Sequence, residues 1–309
     1  MKKETLFELL SPYRSSFKIQ GFRFGSGEPS VAIVGAIRGD EFQQQFICSQ
    51  IVKNLIQIEE AGLIESGHEI LVIPCVNHYS INIGKRFWAM DNTDINRMFP
   101  GYDKGETTQR IAAALFNLVR DYKYGIQLAS FYLHGDFIPH VRILTTGYED
   151  VESARTFALP YILLRTPSSF DTTLLHYNWQ IFGTKAFSIY SGETASVNKE
   201  SAKLTWNSIL RFLSKNNFIH YKLHNGYDSC LIQEKELTTI TSGAAGFLYK
   251  INKASDFVRK GDLIAKILDP YDGSVVNKIY SPVSGEIFFS YQSPLISADT
   301  TVYKIAEYT

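Results

Sequence analysis

Residues 31–41 read VAIVGAIRGDE, and this stretch decides the fold class of the 309-residue chain. Its first seven residues, 31–37, form a continuous apolar run that is rich in β-branched side chains, which is typical of a strand buried on both faces of a sheet. Apolar residues then recur at helical spacing over residues 41–60. A buried strand that leads into a helix predicts the strand–helix alternation of an α/β protein.

The same alternation continues outward along the chain. Further strands are predicted at residues 69–76, 124–130, 141–146, 161–165 and 186–190, and further helices at 107–122 and 196–215. We therefore predict a mostly parallel or mixed sheet with helices on both faces. Ligands of such sheets usually bind at the carboxyl ends of the strands, so functional residues are expected in the segments that follow them. Residues 1–15 are predicted to form a short amphipathic helix.

Beyond about residue 228 the pattern changes to short strands separated by turn residues. Residues 242–267 are weakly repeated at 281–305, and Gly246 matches Gly285 in this repeat. Two similar β-halves predict a small all-β barrel-sandwich with pseudo-twofold symmetry, similar to lipoyl and biotinyl carrier domains.

The length and this change of pattern together predict two domains. An α/β domain that carries the pocket is expected at residues 1–225, and a β-rich, lipoyl-like domain at 226–309. Between the two β-halves the sequence offers only Lys278, which lacks methionine neighbours, so no carrier role is expected.

The composition excludes several classes of partner. Lysine plus arginine equals aspartate plus glutamate, 31 against 31, so neither nucleic acid nor an anionic membrane is an expected partner. The apolar runs are far shorter than the roughly 20 residues of a membrane-spanning helix. Three cysteines, Cys48, Cys75 and Cys230, share no metal-site or disulfide spacing. A cytoplasmic location is therefore expected.

Residues 94–101, DINRMFPG, resemble the D-L-N-R-x-F-P-G signature of the succinylglutamate desuccinylase/aspartoacylase family. Residues 35–41 are similar to the family's strand–G-x-x-G-D-E segment, and PHVR at 139–142 extends the match. The resemblance implies a zinc-carboxypeptidase-like fold and a zinc-dependent hydrolase that deacylates N-acyl amino acids.

The family's zinc ion is held by a histidine and a glutamate in H-x-x-E and by a histidine in D-L-H-T. By this resemblance Glu41 retains the glutamate ligand, whereas Arg38 and Ala129 replace the two histidines. The PHVR segment at 139–142 sets the register for Ala129. A guanidinium stays protonated and an alanine has no donor atom, so neither replacement can ligate zinc.

The resemblance also implies catalytic and substrate-binding positions. The family's general-base glutamate falls on Tyr190, because Gly192 supplies the glycine of E-x-G. Arg86 matches the arginine that holds the oxyanion, and Asn96 and Arg97 match the pair that binds the substrate carboxylate.

These substitutions favour a family member that has lost zinc hydrolysis, needs no cofactor and binds a small acidic molecule, a carboxylate. Arg38 would then pair with Glu41 across one turn and fill part of the metal space. Asn96 and Arg97 would bind the ligand, since an arginine fork matches a carboxylate. A structural alternative is that Asp94 forms an Asx turn and Arg97 clamps backbone carbonyls.

An active enzyme is the alternative function. If the third segment is shifted, Glu41 and His134, with Glu193 or Asp136, would form a mixed oxygen and nitrogen site for zinc. Glu193 would also be the alternative general base. This set predicts a metal-dependent amidohydrolase that deacylates N-acyl amino acids.

Overall fold

The computed structural model describes residues 1–11 and 15–308. Its strands up to residue 233 are β1 (Lys2–Leu9), β2 (Phe17–Gly25), β3 (Gly27–Val34), β4 (Gly67–Ile73), β5 (Tyr124–Leu128), β6 (Gly135–Phe137), β7 (His140–Leu144), β8 (Tyr161–Arg165), β9 (Lys185–Tyr190) and β10 (Cys230–Gln233). Its α-helices are α1 (Phe42–Glu60), α2 (His78–Ile81), α3 (Thr107–Val119), α4 (Val151–Arg155), α5 (Leu175–Ile181) and α6 (Lys199–Lys215). None of the helices in the described residues is both long and apolar enough to span a bilayer.

Nine strands form one mixed sheet in the order β1-β2-β4-β3-β5-β9-β7-β8-β10. The central strands β4, β3, β5 and β9 run parallel to one another, and β7 is antiparallel to β9. The side chains of β3 alternate between two cores: Val31 and Ile33 face helices α1 and α6, while Ala32 and Val34 face α3 and α5. The predicted mixed sheet with helices on both faces is confirmed.

The N-terminal prediction is wrong where the structure describes it. Residues 2–9 form the edge strand β1, which is antiparallel to β2, with Lys2 opposite Arg23 and Leu9 opposite Phe17. The rest of the predicted helix includes residues 12–14, which lie outside the described residues. A strand forms here instead of a helix because its backbone N–H and C=O groups pair with the neighbouring strand β2. This pairing depends on residues that are distant in sequence, so the local pattern of apolar residues does not show it.

The C-terminal strands are β11 (Leu237–Thr241), β12 (Gly246–Lys250), β13 (Phe257–Val258), β14 (Leu263–Leu268), β15 (Val275–Tyr280), β16 (Gly285–Tyr291), β17 (Leu295–Ile296) and β18 (Thr301–Glu307). They form two antiparallel sheets, β11-β18-β16-β13 and β15-β14-β12-β17. The two repeats exchange strands, since β13 pairs with β16 and β17 pairs with β12. This confirms the predicted all-β barrel-sandwich.

The repeated glycines have the same role in both halves. A Cβ on Gly246 would lie 2.3 Å from the Leu268 carbonyl oxygen, and one on Gly285 would lie 2.1 Å from that of Ala306. Each glycine therefore allows one strand to approach the last strand of its own half closely. Lys278 lies within β15, opposite Lys266, and not at a hairpin tip.

The two predicted domains interlock through two strands. Just after the predicted division at 225/226, β10 pairs with β8 and completes the large sheet. Well before the division, β6 lies outside the large sheet and pairs with β16 of the C-terminal strands. The division itself stays a prediction.

This junction predicts a pH dependence of stability. Burial and the nearby Glu193 carboxylate raise the pKa of Asp136, on β6, from 3.8 to about 6, although Lys250 and Lys253 oppose the shift. A raised pKa means that the fold favours the neutral form of Asp136. The contribution of Asp136 to the free energy of unfolding is therefore fully present below pH 4 and is lost as the pH rises through 6. Asp136→Asn should therefore raise the free energy of unfolding by about 1–2 kcal/mol at pH 8 and by little at pH 4. Urea unfolding across this range measures the difference, and parallel curves for both proteins would refute it.

Candidate functional site

A cavity of about 230 Å³ opens at the carboxyl ends of β5 and β9, as expected for such a sheet. Its wall combines four arginines with amide, hydroxyl and aromatic groups; the polar lining includes Arg38, Asn96, Arg97, Gln127, Ser130, Arg142, Arg165, Asp171, Ser188 and Tyr190. Because β7 is antiparallel to β9, its first residues lie at this same edge, and Arg142 is opposite Ser188.

Arg38 lies in the turn between β3 and α1 and is buried. Its Nε and Nη2 donate to the Asp94 carboxylate at 2.9–3.1 Å, and its Nη1 is 3.3 Å from the Ser130 carbonyl oxygen. The same Nη1 lies 3.7 Å from Glu41 Oε1. The guanidinium therefore lies beside the carboxylate of Glu41 and links three segments of the cavity wall.

Glu41 precedes α1 and is 1% exposed. Its carboxylate accepts hydrogen bonds from the Ser130 hydroxyl and from the Arg38 backbone N–H, the latter at 3.1 Å. Burial raises the pKa of Glu41, and Arg38 and the Ser130 hydroxyl act against that rise.

Ala129 follows β5 and its methyl group lines the cavity. Its N–H donates to the Ile189 carbonyl at 2.9 Å, which places it beside Tyr190 at the sheet edge. Gln44 donates to the Ala129 carbonyl at 3.1 Å. Ala129 is therefore held at the cavity wall with no side-chain donor to offer a metal.

The donor set does not fit a zinc ion. Of the three positions that the resemblance assigns to zinc ligands, only Glu41 carries an atom that can bind a metal, and the cationic Arg38 lies 3.7 Å from it. Within residues 1–11 and 15–308, no three His, Cys, Asp or Glu side chains form a group that could hold a metal. The alternative set, Glu41 and His134 with Glu193 or Asp136, does not form such a group. Glu41 is buried, His134 is exposed on a loop, and Glu193 accepts a hydrogen bond from Ser196.

Asn96 and Arg97 form a 3₁₀ turn, Ile95–Arg97, at the cavity. Asp94 Oδ1 accepts from the Asn96 backbone N–H at 3.0 Å, and Asn96 Oδ1 accepts from Gln127 Nε2 at 3.2 Å. The Asn96 Nδ2 group makes no hydrogen bond within the described residues. Arg97 Nη1 donates to the Phe170 carbonyl. The contacts of the structural alternative are thus present, yet both side chains also line the cavity.

Of the two residues assigned to catalytic positions, Tyr190 lines the cavity and Arg86 does not. Tyr190, the last residue of β9, lines the cavity, and its ring lies 3.9 Å below the Arg142 guanidinium carbon. Arg86 is not part of the cavity wall; it binds Asp40 and the Phe131 carbonyl, each at 2.9 Å. Its contacts tie two loops together, and an oxyanion role stays a prediction.

The sequence analysis did not identify several residues that line the cavity. Arg165 pairs with Asp171 and Glu234, each at 2.9 Å. His176 Nδ1 lies 2.6 Å from Ser188 Oγ, but burial lowers the pKa of His176 to about 3. Such a histidine is too weak a base to activate Ser188 at neutral pH. One signal was available, since YILLR and PHVR each carry an arginine on an otherwise apolar strand.

Comparison with known proteins gives a consistent picture. The sequence model of the succinylglutamate desuccinylase/aspartoacylase catalytic domain matches residues 27–216. N-alpha-acetyl-L-2,4-diaminobutyric acid deacetylase from Halomonas elongata is 23% identical over 311 residues, which cover 90% of this chain and 82% of that protein.

Two solved structures share the fold. A succinylglutamate desuccinylase/aspartoacylase from Rhodobacter sphaeroides superimposes with a TM-score of 0.78 at 17% identity, covering 94% of this chain and 89% of that one. The product-bound ectoine utilization protein EutE (DoeB) from Ruegeria pomeroyi gives 0.77 at 18% identity, with coverage of 94% and 89%. The catalytic-domain match spans more than half of the chain and includes the segments that form the cavity. The chain therefore belongs to the succinylglutamate desuccinylase/aspartoacylase family, as the DINRMFPG segment indicates.

Proposed function

We propose that this family member has lost zinc-dependent hydrolysis and binds a small carboxylate in the cavity. The observation that carries the proposal is the position of Arg38. Its guanidinium is bound to Asp94 at 2.9–3.1 Å, to Ser130 at 3.3 Å, and lies 3.7 Å from the one retained ligand, Glu41. A metal ion beside Glu41 would have to displace this cation and break its hydrogen bonds.

The position of the general base supports the same proposal. Tyr190 stands where the family has a glutamate, and a phenol is a poor substitute for a carboxylate that accepts a proton from water. Glu193 is nearby in sequence, but it bonds Ser196 and does not line the cavity. In this proposal the cavity described here lacks the ligands and the base for metal-assisted hydrolysis, and no cofactor is included.

The Asn96–Arg97 turn is the proposed carboxylate site. Arg97 has five N–H donors, of which the Phe170 carbonyl uses only Nη1, so a forked pair remains for a ligand. Asn96 adds an amide donor at the cavity wall. The volume of about 230 Å³ is below the usual 300–1,000 Å³ of drug-sized sites, which favours a small molecule. As part of the same proposal, the protein is expected in the cytoplasm.

Arg97→Ala tests the proposal. The wild type should bind some members of a panel of acetate, propionate, succinate and N-acetylated amino acids; the last are included because the Halomonas relative is a deacetylase of such a compound. Loss of a charged hydrogen-bond partner should weaken that binding by roughly 30-fold or more in isothermal titration calorimetry.

Arg120→Ala is the matched control, because Arg120 is exposed at the end of α3 and does not line the cavity. It should leave binding unchanged. If no acid binds the wild type and Arg97→Ala only lowers the melting temperature, Arg97 is a loop clamp and the proposed function is wrong.

A further inference from the structure

Arg142 is a buried arginine that makes no hydrogen bond to any residue the structure describes. Its side chain extends from β7 into the cavity wall and the residue is 4% exposed. Its Nε is buried and unpaired. Within the described part of the chain, none of its nitrogens donates a hydrogen bond and no carboxylate lies within 4.0 Å.

Aromatic rings position this guanidinium instead. The Tyr190 ring centroid is 3.9 Å from Arg142 Cζ, and the Phe131 and Phe137 centroids are 5.7 and 5.9 Å away. Stacking on Tyr190 orients the planar group and leaves its edge, which carries the N–H donors, for a ligand.

One carboxylate that interacts electrostatically with Arg142, Glu234, is already bound by other cations. Burial of Glu234 acts to raise its pKa, but Arg142, Lys304 and Arg165 together lower that pKa below its usual value. Glu234, however, bonds Arg165 at 2.9 Å and Lys304 at 3.2 Å. Its charge is thus shared by two direct partners, and it gives Arg142 no hydrogen bond.

The other cavity arginines differ from Arg142 in this respect. Arg38 is bound to Asp94 and Arg165 to Asp171, each at 2.9 Å, while Arg97 rests on the Phe170 carbonyl. A buried cation with no acceptor is costly, and the cost is removed when an anion supplies the missing hydrogen bonds.

We propose that Arg142 binds a second anionic group of the ligand, so that the cavity selects small molecules with two oxyanionic groups. This inference rests on the proposed function, because the first group is the carboxylate held by Asn96 and Arg97. The second group is a carboxylate, a phosphate or a phosphonate, since a planar arginine fork matches the oxygens of each. Arg142 is then the residue that determines specificity between monoacids and diacids.

Matched acids test this inference by calorimetry in a low-chloride buffer. Succinate is compared with butyrate, and glutarate with valerate, because each pair differs mainly in one acidic group. The wild type should bind each diacid about 10-fold to 100-fold more tightly than its monoacid. Arg142→Gln should bring this ratio close to one, while monoacid affinity changes by no more than about 3-fold. 3-Phosphonopropionate distinguishes the two chemistries: tighter binding than succinate indicates a phosphate-type group, and weaker binding a carboxylate.

Two further variants keep the test sharp. Arg142→Lys retains the charge but loses the fork and should give an intermediate ratio. Arg120→Gln, outside the cavity, should leave the ratio unchanged.

If monoacids bind through Arg97 but Arg142→Gln leaves the diacid-to-monoacid ratio as in the wild type, the second site is wrong and the carboxylate site stands. If Arg142→Gln weakens both acids equally, Arg142 is structural and the inference fails. If no acid binds the wild type, both proposals fail.

Discussion

Replacement of Arg38 by methionine is expected to lower the free energy of unfolding by about 3–5 kcal/mol, because it removes one partner of a buried ionic cluster. Glu41, which is 1% exposed, would lose its counter-charge, and Asp94 would lose hydrogen bonds of 2.9–3.1 Å. The Ser130 carbonyl would also lose its donor. Urea unfolding at pH 7 measures the loss.

The pH and a second substitution identify the source of this loss. Burial already raises the pKa of Glu41, and without Arg38 that pKa should rise further. Glu41 is then protonated more easily, so the difference between wild type and variant should shrink as the pH falls. Adding Glu41→Gln to Arg38→Met should restore part of the stability at pH 7.

Arg86→Met is the matched control for this experiment. Arg86 bonds one carboxylate, Asp40, and the Phe131 carbonyl, but its side chain is 18% exposed against 7% for Arg38. Its replacement should cost less. A loss from Arg38→Met that is under about 1 kcal/mol, the scale of an exposed pair, would show that the cluster does not stabilise the fold.

The double variant Arg38→His and Ala129→His is expected to gain zinc affinity that the wild type lacks. Arg38 and Ala129 line the cavity and Glu41 lies beside Arg38, so two imidazoles and one carboxylate would form a three-ligand set with an open fourth position. Zinc would also replace the positive charge lost with Arg38. At a free zinc concentration of 100 times the dissociation constant, binding would stabilise the fold by about 2.7 kcal/mol.

Zinc titration, followed by competition with a chelator and by melting temperature, measures this gain. The two single variants are the controls, since each leaves only two ligands and should bind far more weakly. Hydrolysis is not expected, because Tyr190 still occupies the base position. Absence of zinc binding by a folded double variant would reject the assignment of Arg38 and Ala129 to the ligand positions.

Local patterns in the sequence determined the elements that build the sheet. The run at 31–37 and the helical spacing over 41–60 are observed as β3 and α1. A strand buried on both faces requires a continuous apolar run, and a helix with one buried face requires apolar residues at helical spacing. The matching glycines of the C-terminal repeat, Gly246 and Gly285, were likewise visible in the sequence. The positions of Arg38, Ala129, Asn96 and Arg97 at one cavity are expected for segments that follow parallel strands ending at one edge.

Only the tertiary structure decided how the charges are distributed. No sequence pattern shows that Arg38 reaches Asp94 rather than only Glu41. Nor does one show that Arg142 lies over the Tyr190 ring with no hydrogen-bond acceptor among the described residues. Likewise β6, β10 and β1 depend on strands that are distant in sequence. Periodicity records whether a residue is buried, but pairing between distant residues depends on which side chains the completed fold places within hydrogen-bonding distance.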